Sequence, residues 1–139
     1  MSKIAVVYWT GTGNTEAMAN KVAEGAREAG ADVTMFTADS FSASKVGDYD
    51  AFAFGCPAMG DEMLEETEFQ PMWDDVKGSL GAKKVGLFGS WGWGNGVWMD
   101  SWKEDAAANG VNVISTVICS DAPDEAAETE CRDLGKTLV

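Results

Sequence analysis

Histidine is absent from the 139 residues of the chain. Ser-His-Asp, Cys-His and His-metal chemistry are therefore excluded at the outset. Basic residues are scarce: ten Lys and Arg stand against 23 Asp and Glu, a formal net charge of −13. A nucleic-acid binder carries a basic footprint, and this chain has none. The same sign of charge disfavours adhesion to an anionic membrane. Cysteine is limited to Cys56, Cys119 and Cys131, with no pair at C-x-x-C spacing, which reads as free thiols in a reducing compartment. No apolar run approaches the ~20 residues of a membrane helix. No charged leader with a cleavage site precedes the first apolar segment. The expectation is a soluble, cytoplasmic protein without nucleic-acid or membrane partners.

What is present reads as globular. Apolar residues make up 45% and charged residues 24% of the chain, and the length suits one domain, residues 1–139. Five short apolar segments, Ile4–Trp9, Val33–Phe36, Ala51–Gly55, Val85–Gly89 and Val111–Ile118, predict strands. The first and fourth are nearly continuous apolar runs, as in strands covered on both faces. Helical stripes lie between or after most of them: Met18, Val22, Ala26 and Ala29; Met99, Trp102 and Ala106; Ala127, Cys131, Leu134 and Leu138. A further helix is predicted near Pro71, carrying Met72 or Trp73, Val76 and Leu80 inward. Ala38–Asp48 predicts a short or irregular crossover. This order implies an α/β fold: a doubly wound, five-stranded parallel sheet of order 2-1-3-4-5 with helices on both faces.

Ligands of such sheets bind beyond the carboxyl ends of the strands, near the point where the strand order reverses. Three loops then matter. Thr10-Gly11-Thr12-Gly13-Asn14-Thr15 follows the first strand and opens a helix. Small residues, hydroxyls and a helix dipole make a phosphate cradle without a cation. The other reading is a Gly-rich turn with a Thr cap. The segment is neither a Walker loop nor the dinucleotide fingerprint, whose third glycine position holds Glu16. Ser90-Trp91-Gly92-Trp93-Gly94-Asn95-Gly96 puts two tryptophans in a glycine-rich loop, which suits a stacking platform for a flat ligand or the filling of a crevice. Cys56-Pro57-Ala58-Met59-Gly60-Asp61-Glu62 offers a polarizable Met59 and, at Gly60, a peptide free to take two orientations. Five acids between Asp61 and Glu68 read as a solvated surface without metal-ligand spacing.

A phosphate cradle, a flat-ring platform and a flexible glycine peptide together describe a flavin mononucleotide (FMN) site. The motifs Tyr8 to Glu16, Gly55 to Glu62 and Phe88 to Gly94 are similar, in order and spacing, to those of the short-chain flavodoxins of anaerobic bacteria. The resemblance covers essentially the whole chain. It implies that Thr10, Gly11, Thr12, Gly13, Asn14 and Thr15 bind the phosphate, with Trp9 nearby. It implies that Met59 covers the inner ring face and that Trp93 stacks on the outer face, with Pro57 and Ala58 among the cofactor-binding residues. Gly60 becomes the flipping peptide, with Asp61 and Glu62 near the ring's N5, O4 and N3 edge. Ser90, Trp91 and Gly92 bound the pyrimidine side, Gly94 of the same loop is a further cofactor-binding residue, and Asp121 approaches the ring or ribityl chain. Two positions depart from the family pattern: Thr10 stands where serine is usual, and Trp91 where tyrosine is commoner.

The function implied is that of a low-potential one-electron carrier with noncovalent FMN, not an enzyme, serving as a monomer between redox proteins that present basic docking faces. A Gly60 carbonyl turned toward N5–H would favour the neutral semiquinone. Each negative charge ~10 Å from the reduced ring, at an effective dielectric of ~40, would cost about 0.8 kcal/mol, or roughly 35 mV for one electron. The acids from Asp61 to Glu68, Glu65 and Glu66 among them, would steer the partners. A small FMN-dependent reductase would need room for a second site. A phospho-receiver domain would need an acceptor Asp where Gly55-Cys56-Pro57 stands.

Overall fold

The computed structural model describes residues 2–11, 13–59, 63–92 and 96–139. Five strands form one parallel sheet: β1 (Lys3–Tyr8), β2 (Asp32–Thr37), β3 (Ala51–Gly55), β4 (Lys84–Trp91) and β5 (Asn112–Ser120). Their order is β2-β1-β3-β4-β5, all neighbours parallel. Four helices connect or follow them: α1 (Asn14–Glu28), α2 (Phe69–Val76), α3 (Val97–Ala108) and α4 (Glu125–Thr137). The 38–48 crossover is two 3-10 turns, Ala38–Ser40 and Ala43–Asp48. None of the described helices is long and apolar enough to cross a membrane.

Strand alternation divides the core into two layers. Ala5, Val7, Phe52, Phe54, Val85 and Leu87 face one way, onto α2 and α3. There Phe54, Trp73, Trp102 and Phe69 meet edge to face with centroids 5.4 to 5.7 Å apart, a favourable aromatic arrangement. Ile4, Val6, Ala51, Ala53 and Phe88 face the other way, onto α1 and α4. Those two helices touch through glycine. A Cβ on Gly25 would lie 2.0 Å from the Arg132 carbonyl oxygen, and one on Gly135 would lie 2.1 Å from that of Val22. No side chain fits at either position.

The expected stripes are buried with one exception. Met18, Val22 and Ala26 are in the core, but Ala29 is exposed. α1 ends at Glu28, and Gly30, at φ 95°, turns the chain back into β2. α2 begins two residues ahead of Pro71, which fits the first turn because its missing N–H has no helical acceptor there. β4 runs on through Ser90 and Trp91, because β5 continues beside it to Cys119 and Ser120. The loop after β4 therefore starts at Gly92, not at Ser90. At the outer edge, Ile114 is an extra residue between the pairs Val85–Val113 and Gly86–Ser115. This bulge interrupts a strand that has no neighbour on its far side.

Candidate functional site

The three loops selected from the sequence meet at the carboxyl edge of the sheet. They enclose a cleft of about 270 Å³ lined by Trp9, Thr10, Gly11, Asn14, Thr15, Pro57, Ala58, Met59, Ser90, Trp91, Gly92 and Asp121. It lies beside β1 and β3, where the strand order reverses. Gly13 adjoins it as the cap of α1. Thr12, Gly60, Asp61, Glu62, Trp93 and Gly94, also expected here from sequence, lie outside the described residues.

The chain reaches α1 through Gly13, whose φ of 94° is one that glycine alone adopts freely. The Thr10 hydroxyl accepts the Gly13 amide at 3.0 Å and so draws the loop into a tight turn. Gly13 makes no side-chain cap, so the first amides of α1 keep their hydrogen-bonding capacity. Beside them sits Thr15, 1% exposed, whose hydroxyl has no partner among the described residues. A buried hydroxyl left unpaired costs about 1–3 kcal/mol. With the amides and the positive end of α1, it makes a set of neutral donors suited to an anion. Among the described residues, no Lys or Arg lines the cleft. These residues fit a phosphate group bound by neutral donors, and the apolar lining beyond them fits a ring.

That lining is anchored to the sheet. The Cys56 amide donates to the Phe88 carbonyl at 3.1 Å and the Ala58 amide to that of Ser90 at 3.0 Å. Met59 and Met63 form an isolated antiparallel bridge, the Met59 amide meeting the Met63 carbonyl at 3.0 Å. Trp91 is half-buried and packs on the aromatic core while lining the cleft. It is a strand residue and not a loop residue. Its carbonyl accepts the Asp121 amide at 2.8 Å, which brings Asp121 to the cleft. Asp121, at φ 53°, is the one non-glycine residue with positive φ among those described. Aspartate tolerates this region better than most residues, and such strain concentrates at functional sites. Trp9 donates its indole N–H to Glu68 at 3.0 Å, tying the first loop to the start of α2.

One expectation fails. Glu65 does not belong to a solvated acidic rim: it is 5% exposed, and its carboxylate is fully engaged. Glu66 and Glu68 are exposed. Burial alone would raise the Glu65 pKa; the Thr67 hydroxyl and the amides of Phe69, Thr67 and Glu68 outweigh it and hold the carboxyl below its ordinary range. Nearby, burial pushes the Cys56 thiol up to about 12, so it stays protonated at neutral pH.

Sheet order and cleft position define the flavodoxin-like class of doubly wound α/β proteins, for which flavodoxin itself is the type case. The sequence model of the family described as Flavodoxin matches residues 6–135. The chain is 46% identical to a flavodoxin of Megasphaera elsdenii over 98% of each chain, and 42% identical to one of Clostridium beijerinckii over 96% of this chain and 97% of that one. The solution structure of the two-electron reduced M. elsdenii flavodoxin is similar at a TM-score of 0.90 and 45% identity, covering 97% of each chain. The chain belongs to the flavodoxin family. It is an FMN-binding electron carrier and not an enzyme.

Proposed function

We propose that the cleft at the carboxyl edge of the sheet is the FMN site, and that the chain, as a single domain, works there as a low-potential, one-electron carrier. The observation that carries this is the buried Thr15 hydroxyl, without a partner among the described residues, at the uncapped start of α1. Thr10, Gly11, Gly13, Asn14 and Thr15 would hold the phosphate, with Thr12 added from the family motif. Pro57, Ala58, Met59 and Trp91 would receive the flat ring. Ser90, Gly92 and Asp121 border it. Gly60, Asp61, Glu62, Trp93 and Gly94 join the site on the strength of the motifs. Bound FMN supplies the redox chemistry, taking up and giving away electrons one at a time. The thiol of Cys56 is buried and protonated, and there is no histidine, so retention rests on noncovalent contacts.

The residues of the chain set the potential through their charge. A net charge of −13 opposes any further negative charge placed in the cleft. The penalty falls on the more reducing step, the one that leaves the site more anionic. Glu68, bonded to the cleft-lining Trp9, and Glu66, both exposed, favour encounter with basic faces of electron-transfer partners, and the like charge of a second copy favours a monomer. A cytoplasmic setting suits three free cysteines.

The test is binding of FMN and of riboflavin to the apoprotein, followed by a redox titration of the FMN complex. FMN should bind more tightly by the contribution of its phosphate, acid precipitation should release all of it, and the titration should separate two one-electron potentials. Equal affinity for the two flavins would remove the phosphate from the α1 terminus and sink the assignment.

A further inference from the structure

Glu65 is the only carboxylate buried among the described residues. Its Oε1 accepts the amides of Glu68 at 2.7 Å and Phe69 at 3.0 Å. Its Oε2 accepts the Thr67 amide at 2.8 Å and the Thr67 hydroxyl. A carboxylate has about four lone-pair sites, so no acceptor capacity is left for a ligand or a docking partner. Helix capping alone does not explain such a group. A Ser, Thr, Asp or Asn at the cap position satisfies an amide without burying a charge, yet the cap position of α2, Glu68, makes no side-chain cap. The task has moved three residues back along the chain, onto a residue whose own backbone belongs to the cleft loop.

The backbone of Glu65 is held as tightly as its side chain. Its amide donates to the Cys56 Sγ at 3.3 Å and its carbonyl accepts the Gln70 amide at 2.8 Å. The neighbouring Leu64 is 8% exposed, in the core. Two residues before Glu65 comes Met63, the bridge partner of the cleft-lining Met59. The loop entry is fixed by β4 through Cys56 and Ala58. Its exit, among the described residues, is fixed by the turn that Glu65 organises.

We propose that Glu65 is a positioning residue for the flavin ring: its buried carboxylate locks the loop exit and, through the Met63–Met59 bridge, sets the place of Ala58 and Met59 in the cleft. The proposal rests on the cleft being the FMN site. Loss of the carboxylate lets the exit turn relax, and the ring-facing wall with it, whereas the phosphate end, built on another loop, stays intact. Coupling is reciprocal: FMN bound against Ala58 and Met59 must also stabilise the turn at 65–69.

Glu65→Gln keeps the shape but turns an NH2 group toward amide donors. It should weaken both FMN and riboflavin by roughly tenfold, the scale of a lost charged hydrogen bond. It should also shift at least one midpoint potential, a tenfold change in relative affinity reading as about 59 mV. Leu138→Ala is the comparison. Leu138 is buried at the opposite edge of the sheet, next to Thr137, whose carbonyl meets Lys84 at the start of β4. It should lower thermal stability as much or more while leaving both potentials unchanged. Unaltered potentials and flavin affinities in Glu65→Gln, with only a stability loss, would overturn the proposal and leave Glu65 a helix cap. Should that variant not fold, hydrogen exchange on the wild-type protein decides. FMN should slow exchange of the Thr67, Glu68 and Phe69 amides as well as that of the cleft amide of Ala58. Slowing at Ala58 without slowing at 67–69 refutes the positioning role. No slowing at Ala58 refutes the cleft itself.

Discussion

Thr15→Val tests the phosphate assignment with two effects of opposite sign. Thr15 is 1% exposed and its hydroxyl has no partner among the described residues, so the apoprotein carries the cost of an unsatisfied buried polar group, about 1–3 kcal/mol. Valine replaces the hydroxyl by a methyl group of similar size and removes that cost. The apoprotein should therefore gain about 1 kcal/mol, the lower end of the range, because the new methyl also faces an open cleft. In the complex, the hydroxyl would donate to a charged phosphate, a bond of about 1.5–3 kcal/mol. FMN affinity should fall by roughly tenfold to a hundredfold. The two effects mask each other in the complex. At an FMN concentration about a thousand times Kd, binding adds about 4.1 kcal/mol of stability, and a tenfold weaker site adds about 1.4 less. A melting curve of the complex alone would register almost nothing. The informative assays are urea unfolding of the apoprotein, followed by tryptophan fluorescence, and titration of FMN and riboflavin against it, followed by quenching of flavin fluorescence. Riboflavin has no phosphate, so its affinity should barely move. A less stable apoprotein, or an equal loss on both flavins, would refute the reasoning.

Other positions give equally direct tests. Gly135→Ala should cost about 1–3 kcal/mol despite alanine's higher helix propensity, since its Cβ would meet the Val22 carbonyl at 2.1 Å and the Ala26 amide at 2.7 Å; calorimetry of the apoprotein checks this, and a higher melting temperature would contradict it. The depressed carboxyl of Glu65 makes stability fall on the acid side. The folded-state pKa lies below the ordinary 4.5, so the contribution is present above that value and is lost as pH falls through the folded-state pKa. Acid unfolding of the apoprotein should accordingly steepen below about pH 4.5, and Glu65→Gln should flatten that limb. Glu66→Gln should slow electron transfer with a basic partner at low ionic strength, with the difference vanishing at high salt; stopped-flow rates that do not differ at any salt concentration would end the steering role of this residue.

Much of the fold was legible because local patterns agreed with it. The runs Ile4-Ala5-Val6-Val7 and Val85-Gly86-Leu87-Phe88 are buried on both faces, and a sequence shows this directly as nearly unbroken apolarity. The glycines of the first loop were legible for a similar reason: a turn needing positive φ leaves few other choices at Gly13. What stayed hidden depends on neighbours distant in sequence. Trp91 lies next to three glycines in Gly92, Gly94 and Gly96, and reads as loop; it is strand because Ser120 pairs with it from 29 positions away. Asp121 could be placed by resemblance, but the left-handed turn that brings it to the Trp91 carbonyl has no signal of its own when the residue is aspartate.

Glu65 and Glu66 mark the limit most sharply, because the two adjacent letters are identical and their roles are opposite. Nothing in a run of acids says which one is buried. The structure decides it through the packing on either side: Leu64 and Phe69 both enter the core, and the turn between them must reverse with its amides pointing inward. An inward-pointing set of amides requires an acceptor at the same depth, and among the described acids only Glu65 is buried there. A glutamate suits this place because its length lets one carboxylate span the amides of residues 67, 68 and 69, whereas Glu66 points to water. The spacing of apolar residues around the acids, Leu64 and then Phe69, therefore held the needed information. It becomes readable only once both are known to be core residues.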